Sequence, residues 1–174
     1  MGEAALSERV FHPTEYRTFA RTLAPSLNVL GGALAIAGGL GVWVRATEVS
    51  AGGLAPIEVA TSMGYADWPG IAIAALGGLT LVSSILWLLR FRILKLLPIL
   101  YSIGLAVMVG WQLPLIDQDA AALAQQAREQ IDFAAFHAGY GWGAWCMLAG
   151  AILALLGSTA GTLREIDVRK GIGG

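Results

Sequence analysis

Four long runs without a charged side chain constrain this sequence more than any other feature. The runs are mostly apolar and cover residues 27–44, 70–89, 96–113 and 139–163. A bilayer core about 30 Å thick is crossed by a helix of about 20 apolar residues. The sequence therefore predicts an all-α integral membrane protein, a single domain over 1–174 built as a four-helix transmembrane bundle.

The composition agrees with a bilayer as the main surrounding of the chain. Hydrophobic residues make up 56% and charged residues 13%, whereas soluble domains carry about 25% charged residues. The net charge is −1, and without a basic cluster we expect no nucleic-acid partner. One cysteine excludes an intrachain disulfide and, with two distant histidines, predicts no metal centre.

The positions of lysine and arginine predict the orientation. Nine of the eleven basic residues lie in 1–26, in 90–95 and in 164–174. Basic residues concentrate on the cytoplasmic side. The pattern predicts a multi-pass protein of a bacterial-type cytoplasmic (inner) membrane, with both termini in the cytoplasm. The connections 45–69 and 114–138 then lie outside.

Local patterns predict structure outside the four runs. A Gly-Gly step within 46–61 favours a small outer β-hairpin or extended loop. Apolar residues at helical spacing over 119–134 indicate a short outer amphipathic helix. The cytoplasmic segment 1–26 contains an interfacial helix expected to end at Pro25, and the tail after 163 is expected to be loosely ordered.

Small residues recur within each run at the spacing of one helical turn. Helices in lipid associate through close packing of small residues, so these positions are the expected helix contacts. The predicted contact residues are Gly31, Ala35, Gly39, Gly70, Ala74, Gly78, Gly139 and Gly143.

The stretch GGLGVWVRATEV, residues 38–49, carries a family resemblance. It contains the step Trp43, Val44, Arg45, Ala46, followed by a loop and a Gly/Ala/Leu run that ends in arginines. The chain resembles the actinobacterial Trp-biosynthesis-associated membrane proteins over about residues 27–113. The resemblance implies a four-span bundle and no established activity.

The stretch FHAGYGWGAWC, residues 136–146, has two interpretations. His137, Trp142 and Trp145 form either an interfacial anchor of histidine and aromatic residues or a cofactor site. In the second interpretation His137 is the single axial ligand of a haem or a chlorophyll-type pigment above Gly141. Arg45, at the outer end of the first run, pairs with an outer acid or binds a lipid phosphate.

The apolar runs hold no aspartate, glutamate, lysine, arginine or histidine, and such side chains usually mark function inside a membrane. We therefore expect no catalytic residues and no enzyme. The favoured hypothesis is a non-catalytic accessory or scaffold subunit of a larger membrane protein complex. A cofactor- or pigment-associated subunit using His137 is the alternative, and a small transporter or lipid-handling protein is the third.

Overall fold

The structure is a computed structural model that describes residues 13–49, 57–89, 96–130 and 135–170. These residues form four helices, three strands and one short 3-10 turn. In chain order they are α1 (Pro13–Leu40), β1 (Val42–Val49), β2 (Ile57–Met63), the turn Gly64–Ala66, α2 (Trp68–Leu88), α3 (Leu96–Gln130), β3 (Ala135–Tyr140) and α4 (Trp142–Lys170).

All four helices contain a segment long and apolar enough to cross a membrane. These segments are Leu23–Leu40, Trp68–Leu88, Leu96–Gln126 and Trp142–Ala160. Large apolar side chains are exposed along every helix, among them Leu30, Val82, Val107 and Leu156, as expected of surfaces that face hydrocarbon. The prediction of four membrane-length helices is confirmed.

Helix α1 is held between α2 and α4 by contacts without intervening side chains. A Cβ atom added at Gly32 would lie 2.6 Å from the Gly77 carbonyl oxygen of α2, and one at Gly31 would lie 2.7 Å from the Gly150 carbonyl oxygen of α4. Backbones approach this closely only where both helices carry small residues. Helix α3 closes the bundle by packing against α2 and α4.

The three strands form one antiparallel sheet in the order β2-β1-β3. The sheet lies where α1 ends and α4 begins, which we call the sheet end of the bundle. Val44 and Ala46 of β1 are buried, and Val44 belongs to the same buried cluster as Ile116 and Ala120 of α3. A β-hairpin is present as β1 and β2 where a hairpin or extended loop was expected, and its connection, 50–56, lies outside the described residues.

The first run differs from expectation at both ends. Its helix ends at Leu40 instead of residue 44, because the chain turns into β1 and the Trp43 indole nitrogen donates to the Gly38 carbonyl oxygen at 2.9 Å. That bond satisfies one of the last carbonyls of the helix. Pro25 does not end a separate interfacial helix. It lies buried inside α1. The helix continues through it because a proline removes only one helical hydrogen bond, and the turns on either side keep theirs.

The separate outer amphipathic helix expected over 119–134 is instead the end of α3. The third span does not stop at residue 113, and α3 runs on through Pro114 to Gln130. A helix of 35 residues is about 50 Å long and exceeds the roughly 30 Å of the bilayer core. Its last part is held by the burial of Ile116 and Ala120 against the sheet.

The fourth run was expected to begin a helix at residue 139, but Ala135–Tyr140 form strand β3 and α4 begins at Trp142. Pairing with β1 explains the difference, because it satisfies backbone groups that a helix start would leave unpaired. Helix α4 then continues to Lys170 where a loosely ordered tail was expected, and four of the seven residues from 164 to 170 are arginine, glutamate or lysine, which are strong helix formers.

Candidate functional site

His137 lies on the exposed surface of β3. It is opposite Thr47 in the β1–β3 register, and the Thr47 hydroxyl oxygen lies 3.3 Å from the His137 carbonyl oxygen, to which it donates a hydrogen bond. Successive side chains of a strand point to opposite faces. His137 therefore shares the outward face with Gly139, whereas Ala138 faces the core.

The two tryptophans of the predicted cofactor site have other neighbours. Trp145 is 60% exposed and its ring meets Tyr140 edge-on, with centroids 5.8 Å apart. Trp142 is 54% exposed and its ring lies beside Gly41 at the end of α1. Since Tyr140 and His137 are three residues apart on β3, they lie on opposite faces of the sheet. The predicted site is thus divided between the two faces.

The space above Gly141, expected to admit a flat ring, is occupied by strand β1. A Cβ atom added at Gly141 would meet the Val42 carbonyl and would lie 2.8 Å from the Val42 side chain. The Gly141 backbone nitrogen also donates to the Trp43 carbonyl oxygen at 2.7 Å. The glycine allows the chain to pass close to β1 as it leaves β3 for α4.

Arg45 lies on the outward face of β1. It is exposed, and the backbone register places it between Thr61 of β2 and Gly139 of β3. Its expected partner Glu48 lies on the same strand, opposite Phe136. The expected roles of Arg45, an ion pair or a lipid phosphate contact, stay predictions.

Tyr140 and Asp117 form a polar contact that the sequence interpretation missed. The Tyr140 hydroxyl donates to the Asp117 carboxylate, and this hydrogen bond, together with partial desolvation and the charge of Asp117, raises the pKa of Tyr140 above its ordinary value of 10.0. The sequence predicted Asp117 as a helix cap. In the structure α3 continues past this residue, and its carboxylate contacts Tyr140 of the sheet.

A buried polar cluster joins α1, α3 and α4 away from the sheet. The hydroxyl oxygens of Ser102 and Ser158 are 2.8 Å apart, and Ser158 Oγ lies 3.4 Å from both Asn28 Oδ1 and the Pro98 carbonyl oxygen. Hydrogen bonds between buried side chains fix the relative positions of membrane helices. The Asn28 Nδ2 atom is buried without a hydrogen-bond partner among the described residues.

The hydroxyl groups of α2 are bound within their own helix. Thr80 Oγ1 donates to the Leu76 carbonyl oxygen at 2.8 Å, and the Ser83 and Ser84 hydroxyls donate to the Thr80 carbonyl oxygen at 3.0 and 2.6 Å. Such bonds neutralise short hydroxyls in an apolar surrounding. These residues therefore have a structural explanation.

The predicted helix contacts divide into filled and open positions. A Cβ atom added at Gly39 would lie 2.6 Å from the Gly70 carbonyl oxygen, and one at Gly143 would lie 2.9 Å from the Gly38 carbonyl oxygen. Ala35 and Ala74 also lie in these contacts, beside Gly150 and Gly39, respectively. By contrast, a Cβ atom at Gly78 or Gly139 would meet nothing within 4 Å.

A second helical glycine is open in the same way. Gly110 is exposed on α3, and an added Cβ atom there would also meet nothing within 4 Å. Every helical glycine of α1 and α4 whose surroundings the structure describes would place a Cβ atom within 3.0 Å of a neighbouring atom. We call the positions of Gly78 and Gly110 the open glycine sites.

Within the described ranges, no group of three or more histidine, cysteine, aspartate or glutamate residues is placed to hold a metal ion. No protein-family model matches the chain, and no curated protein matches it. The resemblance to the Trp-biosynthesis-associated membrane proteins stays a prediction.

Proposed function

We propose that this chain is a non-catalytic accessory or scaffold subunit of a larger membrane protein complex, which contacts partner helices at the open glycine sites. The single observation that carries the proposal is the contrast between neighbouring glycines of α2. Gly77 lies against α1, where an added Cβ atom would be 2.8 Å from the Gly32 carbonyl oxygen, whereas Gly78 faces open space.

Glycine has a cost inside a helix, and close packing offsets that cost. A helical glycine is less favourable than alanine by roughly 0.5–1 kcal/mol. At Gly77 the close approach of α1 compensates for it, but no contact among the described residues does so at Gly78 or Gly110. A helix of another subunit would supply the missing contact, because small residues let membrane helices approach closely.

The surroundings of both open glycine sites suit a partner helix in lipid. Leu79 and Val82 are exposed beside Gly78, and Val107 and Trp111 are exposed beside Gly110. A glycine between larger apolar side chains forms a shallow groove on a helix surface. Such a groove supports dispersion contacts with a partner, which are a main attraction between helices in a bilayer.

The proposal includes a location in a bacterial-type cytoplasmic membrane, with the sheet end outside and both termini in the cytoplasm. Its support is the concentration of basic residues in 1–26, between α2 and α3 and in the last part of α4. The pigment hypothesis is disfavoured by the division of His137 and Trp145 between opposite sides of the sheet. The transport hypothesis stays a prediction.

Gentle native purification of four variants tests the proposal. Gly78→Leu and Gly110→Leu place a large side chain in the open sites. Ala149→Leu places the same side chain at an exposed position of α4, and Gly77→Leu places it in an internal contact. We expect Gly78→Leu and Gly110→Leu to keep the wild-type thermal stability and to lose about tenfold or more of the co-purifying partner.

The controls separate loss of the partner from loss of the fold. Ala149→Leu should retain the partner, and Gly77→Leu should lower thermal stability because overpacking costs about 1–3 kcal/mol or more. The proposal is contradicted if the wild type recovers no partner in stoichiometric amount. It is equally contradicted if both open-site variants retain the partner fully.

A further inference from the structure

The side chain of Asn28 is fully buried in α1, and only one end of its amide is paired among the described residues. The Oδ1 atom accepts from the Ser158 hydroxyl at 3.4 Å, whereas Nδ2 has no hydrogen-bond partner there. Folded proteins rarely leave a buried polar group unpaired. Exchanging the oxygen and nitrogen of the amide would leave the oxygen unpaired instead, so one end lacks a partner in either orientation.

The serine hydroxyls of the buried polar cluster pair with other groups. Ser102 Oγ lies 3.0 Å from the Ile99 carbonyl oxygen and 2.8 Å from Ser158 Oγ. Ser158 Oγ in turn lies 3.4 Å from the Pro98 carbonyl oxygen, the same distance as from Asn28 Oδ1. No oxygen of the cluster is placed to accept from Nδ2. The chain of hydrogen bonds therefore ends at the free side of the Asn28 amide.

Pro25 provides a free acceptor on the same face of α1. A proline has no N–H, so the carbonyl oxygen four residues earlier, that of Arg21, has no helical partner. Residues 21 and 28 are seven apart and lie on one face of the helix, two turns from each other. A helical carbonyl points towards the C-terminal end and a side chain leans towards the N-terminal end. The free carbonyl and the Asn28 amide therefore approach each other along this face.

Water is the ligand that fits these two groups. The free end of the amide is a donor, which repels a cation. An anion would place an unpaired charge within Leu23–Leu40, a segment apolar enough to cross a membrane. Water is neutral, accepts from an amide and donates to a carbonyl, and buried waters commonly bridge polar groups in this way. Ordered waters also pair with backbone groups that prolines free in membrane helices.

We propose that an internal water molecule bridges the Asn28 side chain and the Arg21 carbonyl oxygen that Pro25 leaves free. The water extends the buried polar cluster towards the beginning of α1. Gly157 of α4 admits the Asn28 side chain to this position, since an added Cβ atom there would lie 2.5 Å from Asn28 Oδ1. The inference is independent of the proposed accessory role, which concerns the open glycine sites.

Nuclear magnetic resonance in lipid nanodiscs tests the bridge. Asn28 is the only asparagine of the sequence, so isotope labelling of asparagine nitrogen gives one side-chain NH2 group and one backbone amide. We expect the NH2 protons to show a dipolar cross-peak to water, which differs in sign from a chemical-exchange peak in the rotating frame. The backbone N–H of Asn28 is paired within α1 and is the internal control, with a cross-peak weaker by about threefold or more.

Two proline variants test whether the freed carbonyl holds the water. Pro25→Ala restores an N–H that pairs with the Arg21 carbonyl, so the water loses a partner and the side-chain cross-peak should fall about threefold or more. Pro98→Ala is the matched control and should retain the cross-peak. Pro98 is also buried, but it lies in the first turn of α3, where an N–H has no helical partner in any case.

Two results would overturn the proposal. One is a wild-type NH2 group with no stronger dipolar contact to water than the Asn28 backbone amide has. The other is a folded Pro25→Ala protein in which the side-chain cross-peak is unchanged. Should Pro25→Ala not fold, the wild-type comparison of side chain and backbone amide decides alone.

Discussion

Tyr140 connects three elements at the sheet end. It lies at the end of β3, its ring contacts Trp145 of α4 at 5.8 Å, and its hydroxyl donates to Asp117 of α3. The hydrogen bond to the Asp117 carboxylate needs the phenol proton, and desolvation and the carboxylate charge also disfavour a phenolate, so the pKa of Tyr140 is raised. The contact attaches the last part of α3 to the sheet.

The raised pKa of Tyr140 predicts a pH dependence of stability. Because the folded-state pKa exceeds the unfolded one, the contribution of Tyr140 is fully present below about pH 10 and is lost as the pH rises through the folded-state pKa. We expect absorbance titration to show one phenolate forming above the ordinary range in the wild type, with that step absent in Tyr140→Phe.

Asp117→Asn separates the carboxylate from other causes. It keeps a hydrogen-bond acceptor and removes the negative charge, so the Tyr140 titration should move down towards 10.0, its ordinary value. An unchanged titration in Asp117→Asn would show that the carboxylate does not control Tyr140.

Trp43 shows what residue types can and cannot predict at this scale. A tryptophan at the end of an apolar run is typical of the interfacial belt, and Trp68, Trp111, Trp142 and Trp145 are indeed more than half exposed. Trp43 is only 2% exposed and donates to the Gly38 carbonyl oxygen. The difference depends on the helix ending three residues earlier, which hydropathy alone does not reveal.

Among the elements, α3 has two parts with different surroundings. Up to Pro114 it packs in the bundle, and beyond it Ile116 and Ala120 are buried against the sheet while Asp117, Gln118 and Asp119 are exposed. A single buried stripe therefore holds this extension in place. The extension in turn covers the inner face of β1 and β3.

Ile116→Ala should weaken the attachment of α3 to the sheet. Ile116 is fully buried, and removing a buried isoleucine side chain to alanine costs about 2–5 kcal/mol. We expect a loss of that size in the free energy of unfolding, together with faster hydrogen exchange of β3 amides. Gln118→Ala, two residues away on the exposed side, should change stability by about 0.5 kcal/mol or less. Equal effects of the two substitutions would contradict this role of Ile116.

Sequence patterns predicted elements well where the determining contacts are local. Uncharged runs identified all four membrane-length helices, and the Gly-Gly step indicated the β1–β2 hairpin. Strand β3 was missed because its partner β1 is about ninety residues away in sequence, as in the pair Thr47↔His137. The continuity of α3 was missed because Pro114 and Asp117 are typical of helix ends, and burial against the sheet outweighs that tendency.

For the whole molecule, glycine content alone did not show which contacts are internal. The ladders predicted close helix packing, and the structure places Gly31 and Gly143 against neighbouring helices. The spacing of Gly78 within its ladder is the same as that of Gly70, but only Gly70 lies against α1. Which face of a helix meets its neighbour depends on rotation about the helix axis, and a ladder of small residues does not determine that rotation.

The central claim is that a partner subunit lies against the open glycine sites. Site-specific photo-cross-linking in native membranes tests it most directly, with a photoreactive residue at Leu79 beside Gly78 or at Val107 beside Gly110, and a control at Leu156 on the exposed side of α4. The account predicts an adduct with one distinct membrane protein from Leu79 or Val107, lost in Gly78→Leu or Gly110→Leu, respectively, and no such adduct from Leu156. Adducts with lipid alone at both Leu79 and Val107 would contradict it.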